Sequence, residues 1–365
     1  MGELTYAQAI EHALAQAMAD DERIVILGED VHLLRQGLAA RFGHERVRPA
    51  PISEAAFLTA GVGAAMAGLR PVVEIMMVDF IGVAFDALLN HAAKLEGFSG
   101  GRWHAPLVVR AACGGWYGDG GQHEQALWGM LAGIPGLTVL VPSTPADAAG
   151  LMLAALRAEG PVVFLEHKLL SDYWLDYLGG GGRKDVSFDV PAAGARGWVD
   201  EPIAPIAFGL AARRRKGKDI SIVSLGVGVH RAMQAAEELA PLGIDAGVID
   251  LRCVAPLDRD AIVEAATATG RVLVVDEDYV RGGLSGEIAA VLAEERTGAS
   301  FARVAVTDTL PYARHLEDDA LPNVRKIVAA AERMVHDRAR TRTTGNVWPY
   351  PQDKLTAQST VLPGR

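Results

Sequence analysis

Apolar positions in this chain gather into short continuous runs, and between the runs they recur at helical spacing. RIVILGED, RPVVEIMMV, PLVVRAA, LTVLVPS and PVVFLEH each read as a buried strand. Ahead of them, Ile10, Leu14, Ala17 and Met18 share one helical face behind a Thr5–Gln8 capping box. AAFLTAGVGAAMAG reads as a helix of small residues. PADAAGLMLAALR reads as a helix with Ser143 or Thr144 as its cap and Pro145 in its first turn. Strands that are apolar throughout, alternating with helices, call for a mostly parallel sheet covered on both faces.

From Ser171 to about Pro205 the pattern fails, and glycine and charge take over, as in a linker or surface excursion. ARRRKGKD reads as an exposed basic turn. A second series follows: strands DISIVSLG, AGVIDLR, RVLVVDED and ARVAVTD, with helices HRAMQAAEELAPLG, closed by Gly243, and SGEIAAVLAEE. The expectation is two tandem α/β domains with mostly parallel sheets. Their boundaries are placed at 1–185 and 216–338, with an excursion at 186–215 and an extended polar tail at 339–365.

Composition narrows the function. Half of the 365 residues are hydrophobic, 22% are charged, and the formal charge is −10. That balance argues against nucleic acid and anionic membrane as partners. Two cysteines, Cys113 and Cys253, exclude a disulfide scaffold and suit a reducing cytoplasm. Gln125 to Ala146 is uncharged, but Pro135, Pro142 and Pro145 with three glycines break it into helix, turn and strand.

Four stretches invite a chemical reading. GVGAAMAG looks like a dinucleotide fingerprint, but it lies inside a helical stretch with the wrong spacing, so close helix packing accounts for it. DEDYVRGGLSGE is strand, glycine loop and helix, a geometry that can hold an anion, yet three acids surround it and a turn or subunit contact fits better. His123 ends the glycine-rich loop CGGWYGDGGQHEQ after a strand, where parallel sheets often place catalytic groups, although a lone histidine is more often structural. Glu54, in PISEAAFLTAGVGAAMAG, is a lone acid opening an apolar helix. It either favours the helix dipole, with Ser53 as cap, or is a desolvated carboxyl that holds or donates a proton.

ILGEDV, PISEAAFLTAGVGAAMAGLRPVVEIM, GGQHEQ, GLTVLVPSTPADAAGL, PVVFLEHKLL, GIDAGVIDLRCVAPLD, VVDEDYVRGG and PYARHLEDDALPN occur together in this order. In that combination the chain resembles the β subunit of the thiamine-diphosphate-dependent first component of 2-oxo acid and acetoin dehydrogenase complexes. The resemblance implies a pyrimidine-binding domain followed by a transketolase C-terminal domain. It implies that Glu54 contacts N1′ of the aminopyrimidine, favouring the imino tautomer that deprotonates the thiazolium, so that the cofactor serves as electron sink. Ile52, Met76 and Phe80 would line the pyrimidine pocket, His123 would stand at the active-site mouth, and Glu29 would join a proton path between sites.

The resemblance further implies an α subunit in a two-plus-two tetramer, a lipoyl acyltransferase partner, and a 2-oxo acid or acetoin as substrate. GDGG lacks the asparagine pair of the family's magnesium motif, so magnesium belongs to the α subunit and this chain carries no metal. Ala158 stands where some relatives place an acid at a monovalent-cation site, which speaks against potassium. Val83 in DFIGVAFD, and FLEHKLL, look like the acetoin type, and GGWYGDGG departs from the usual small-residue loop. Half of a split transketolase or deoxyxylulose phosphate synthase, or a non-catalytic subunit of the same fold, are the alternatives.

Overall fold

The computed structural model describes residues 2–176 and 194–336; the tail at 339–365 and residues 177–193 of the glycine-rich stretch lie outside them. Fourteen strands occur in these residues: β1 Gly2–Thr5, β2 Ile24–Glu29, β3 Val47–Ala50, β4 Arg70–Met77, β5 Val108–Cys113, β6 Thr138–Leu140, β7 Val162–His167, β8 Arg196–Val199, β9 Ala212–Arg215, β10 Ile220–Ser224, β11 Ala246–Asp250, β12 Cys253–Ala255, β13 Arg271–Tyr279 and β14 Ser300–Val306.

The first sheet has seven strands in the order β12-β6-β7-β5-β4-β2-β3, and the second has five in the order β14-β13-β10-β11-β9. Both are parallel apart from one antiparallel edge each, β12 on β6 and β9 on β11. Residues of β5 and β7 are buried without exception, as the continuous apolar runs require. β12 belongs to the second half of the chain but completes the first sheet, so the two halves are stitched together. One apolar cluster runs from Val73 and Val163 in the first sheet to Val223 and Val272 in the second.

The helix starts follow local chemistry. Thr5 and Gln8 form the capping box of Tyr6–Asp20, whose apolar face packs on the Pro145–Arg157 helix. Thr144 caps that second helix through the Asp147 amide, while the Ser143 hydroxyl donates to Asp250. Inside the Glu54–Met66 helix, a Cβ on Gly61 would lie 2.4 Å from Val73 Cγ2, so the small residues there do permit close packing on β4.

Three sequence expectations are corrected. ARRRKGKD is not simply a turn: Ala212–Arg215 is the edge strand β9, stable because its arginines have carboxylate partners. Arg214 pairs with Asp250 and Asp147, and Arg215 lies 2.9 Å from Asp245. The stretch to Pro205 is not structureless, since β8 pairs with β1. The helix expected from His230 begins at Val227.

Gly28 marks a close approach between β2 and β4. A Cβ there would lie 2.2 Å from the Glu74 carbonyl oxygen, which is backbone and cannot swing aside. Gly28→Ala is therefore expected to destabilise by about 1–3 kcal/mol, the usual range for overpacking. A urea midpoint unchanged from wild type would show that the strands part without strain.

Candidate functional site

Glu54 is the first residue of its helix and only 8% exposed. Ser53 precedes it in the cap position, but makes no cap bond; its hydroxyl donates to the Pro51 carbonyl at 3.0 Å. The expectation that Ser53 caps the helix is corrected accordingly, with the carbonyl of Pro51 winning the hydroxyl. The Glu54 carboxylate has no hydrogen-bond donor among the described residues, and its oxygens keep some access to solvent. The Glu29 carboxyl is pushed up by burial first, then by the neighbouring charge of Glu54 and that of Asp30. These two acids thus face one another electrostatically, from the end of β2 and the start of the helix.

β4 carries a bulge between Ile75 and Met77, and Met76 is half-buried while its strand neighbours are buried. Phe80 follows in a short 3-10 segment, also half-buried, and its ring meets that of His123 edge to face at 5.7 Å between centroids. Ile52 is 81% exposed. Glu29 and Met76 share the wall of a cavity of about 10 Å³, room for roughly one water. The same cavity is lined by a buried charge network. Arg35 Nε donates to both oxygens of Glu74, Arg110 bridges Glu74 and Glu166, and all four side chains are buried. Burial opposes ionisation of Glu74, but Arg35 and Arg110 together hold its carboxyl below the usual range.

His123 sits at the end of the loop after β5. Its Nδ1 lies 3.2 Å from the Asp119 carbonyl, and its own carbonyl accepts from Lys168 Nζ. Lys168 is fully buried, which depresses its pKa, and its ammonium stands 5.0 Å from the centre of the Tyr117 ring. Gln125 Nε2 donates to Asp79 at 2.7 Å, and Tyr279 O–H donates to Gln125 Oε1 at 2.9 Å.

DEDYVRGGLSGE serves structure. Trp128 Nε1 and the Ser285 amide donate to Asp276, and the Gly129 amide donates to Asp278. Glu277 joins His167 Nε2 at 2.7 Å to Arg231 Nη1 at 2.5 Å. Among the described residues no group of three or more His, Cys, Asp or Glu is placed to hold a metal ion, and no helix is long and apolar enough to cross a membrane.

Sequence reasoning missed the buried charges Glu124, Lys168, Arg231 and Glu317. The signal was there for Lys168, because FLEHKLL sets three polar residues within a run otherwise apolar on both sides, which demands internal partners. It was absent for Glu317, whose partner is about two hundred residues distant and depends on how the halves dock.

The geometry accompanies clear kinship. The family model described as Transketolase, pyrimidine binding domain matches residues 2–172, and Transketolase, C-terminal domain matches 209–327. The chain is 39% identical over 341 residues to the 2-oxoisovalerate dehydrogenase subunit beta of Bacillus subtilis (strain 168), covering 90% of this chain and 98% of that protein. It is 37% identical over 350 residues to the acetoin:2,6-dichlorophenolindophenol oxidoreductase subunit beta of Cupriavidus necator, covering 90% and 97%. It is 38% identical over 342 residues to the pyruvate dehydrogenase E1 component subunit beta of Rhizobium meliloti, covering 91% and 70%.

Proposed function

Since the chain belongs to the transketolase-like family of dehydrogenase E1 β subunits, we propose that it supplies the pyrimidine half of a thiamine-diphosphate site. In that reading it acts with an α subunit, in a two-plus-two tetramer, on a 2-oxo acid or acetoin, and hands the acyl group to a lipoyl acyltransferase. The observation that carries the proposal is Glu54, 8% exposed at the start of an apolar helix, whose carboxylate has no protein donor among the described residues.

Such a carboxylate fits the aminopyrimidine. It has hydrogen-bonding capacity to spare, and a basic ring nitrogen that shares its proton would meet that need. Bound there, the cofactor supplies an electron sink for cleavage next to a carbonyl. Glu54 holds or yields the proton at the ring nitrogen, and its 8% exposure limits the water that could compete for that proton. Glu29, biased towards its protonated form by burial and by Glu54, is placed to replenish it. Met76 and Phe80 offer apolar surface to the ring, and Ile52 completes that surface from the exposed side. His123, fixed through its carbonyl by Lys168, orients the substrate or stabilises an oxyanion. Magnesium belongs to the α subunit, which would grip the diphosphate. Arg70 Nη1 donates to the Ala158 carbonyl at 2.8 Å, which gives that oxygen a protein partner in place of a monovalent cation. Both cysteines are free and buried, in keeping with a cytoplasmic complex.

The assay is reconstitution. The chain alone, given thiamine diphosphate, magnesium and a panel of 2-oxo acids and acetoin, is expected to show no turnover with an artificial electron acceptor. Addition of the α subunit is expected to restore it. Turnover by the chain alone at the rate of the mixture would refute the shared site.

A further inference from the structure

The loop that ends in His123 is fastened to the far half of the chain by a pair of carboxyl groups. Glu124 Oε1 accepts from the Tyr117 amide at 2.6 Å, and Glu317 Oε1 accepts from the Gly118 amide at 2.8 Å. Accepting from adjacent backbone amides brings the two carboxyls side by side, and both are buried, Glu124 at 1% and Glu317 at 0% exposure. Their other oxygens, Oε2 in each case, have no donor among the described residues. Two acids can meet in this way only if one proton lies between them, because two like charges at contact in a dry site repel too strongly.

The surroundings reinforce the attachment. Trp116, at φ 86°, is held in a backbone conformation that side chains seldom adopt, with the guanidinium carbons of Arg231 and Arg314 at 4.4 and 4.5 Å from its ring centre. A Cβ on Gly120 would meet the Tyr312 ring at 2.7 Å, so the loop lies flat against the second half.

We propose that Glu317 is a positioning residue for His123: by sharing a proton with Glu124 it clamps the 114–125 loop to the C-terminal half and fixes the histidine next to it in the chain. The role rests on the reading above that His123 faces the substrate. The charged groups that act on the pair are Lys168, from the turn after β7, on Glu124, and Arg314, one turn before Glu317, on Glu317. Arg314 Nε lies 3.7 Å from Glu317 Oε2, short of an ideal hydrogen bond.

Burial and the bond to Glu124 push the Glu317 carboxyl up to about 9. A carboxyl raised in the folded state stabilises fully below its ordinary value. Its contribution then fades as pH rises and is gone above about 9. The clamp should therefore open on the alkaline side, and His123 should lose its placement with it.

The test uses the assembled complex. Hydrogen exchange at the Tyr117 and Gly118 amides, corrected for intrinsic rates, is expected to lose protection as pH passes 9 in wild type. In Glu317→Gln the amide can donate to Glu124 at every pH, so protection should persist. Glu317→Ala strands the Glu124 charge, and kcat at neutral pH is expected to fall about tenfold or more with KM moved less, the scale of a misplaced group. Glu317→Gln should recover most of that loss and remove the alkaline fall in kcat. Protection that ignores pH in wild type, or an alkaline fall that survives in Glu317→Gln, overturns the proposal. If exchange behaves as expected but His123→Ala turns over at the wild-type rate, the clamp exists and its positioning role is overturned, because the reading of His123 has failed.

Discussion

Glu54→Gln is expected to lower kcat of the reconstituted complex by about a hundred- to ten-thousandfold, the range for loss of a positioned acid–base group. The amide keeps the volume and can still hydrogen-bond, but it cannot pass a proton. The competing role of this acid, a favourable charge in the first turn of a helix, contributes only about 0.3–1 kcal/mol. Removing it for that reason alone would leave the chemistry intact. Thermal stability and assembly with the α subunit should therefore change little while turnover collapses. Turnover within a few-fold of wild type would return Glu54 to a helix-start residue.

The largest stability effect is expected at Glu277. Its carboxylate bonds to His167 Nε2 at 2.7 Å and to Arg231 Nη1 at 2.5 Å, and all three side chains are buried. His167 ends β7 in the first half and Arg231 lies on a helix of the second, so one acid ties the two halves together. Glu277→Ala takes a carboxylate partner from both the buried Arg231 guanidinium and His167, which costs about 3–5 kcal/mol. An apparent melting temperature roughly 10 °C lower is the scale to look for in a chain of this size. A drop of a degree or two would mean that water or a rotated neighbour takes over the charge. The pH dependence has a definite sign. Burial alone would raise this carboxyl, but His167 and Arg231 hold it down to about 2. Its stabilisation is complete above the ordinary carboxylate range and is lost as pH falls towards 2. The acid limb of unfolding should flatten in the variant.

Most strands of the two sheets were legible as largely apolar runs, β3, β9 and β12 excepted, and so were the helices with an explicit start signal, such as Thr5 with Gln8. What escaped had its cause elsewhere in the chain. ARRRKGKD looks like a solvated turn until Asp147, Asp245 and Asp250 arrive to neutralise Arg214 and Arg215 and let the edge strand pair. β12 joins the first sheet although it follows the second sheet's β11, and no local pattern announces that exchange. At the site, Glu54 stood out as a charge at the head of an apolar helix, and His123 as the end of a glycine loop. The structure brings His123 to Phe80 and Glu54 to Glu29, and leaves Ile52 largely exposed. Glu124 and Glu317 were silent in the sequence, because an acid that shares a proton reads like any surface acid until its partner is known.

The most direct measurement is a structure of the complex with the α subunit and bound thiamine diphosphate. The account predicts the Glu54 carboxyl within hydrogen-bond distance of a pyrimidine ring nitrogen, with Phe80 against the ring. A carboxyl turned to solvent, with the ring bound elsewhere, would contradict it.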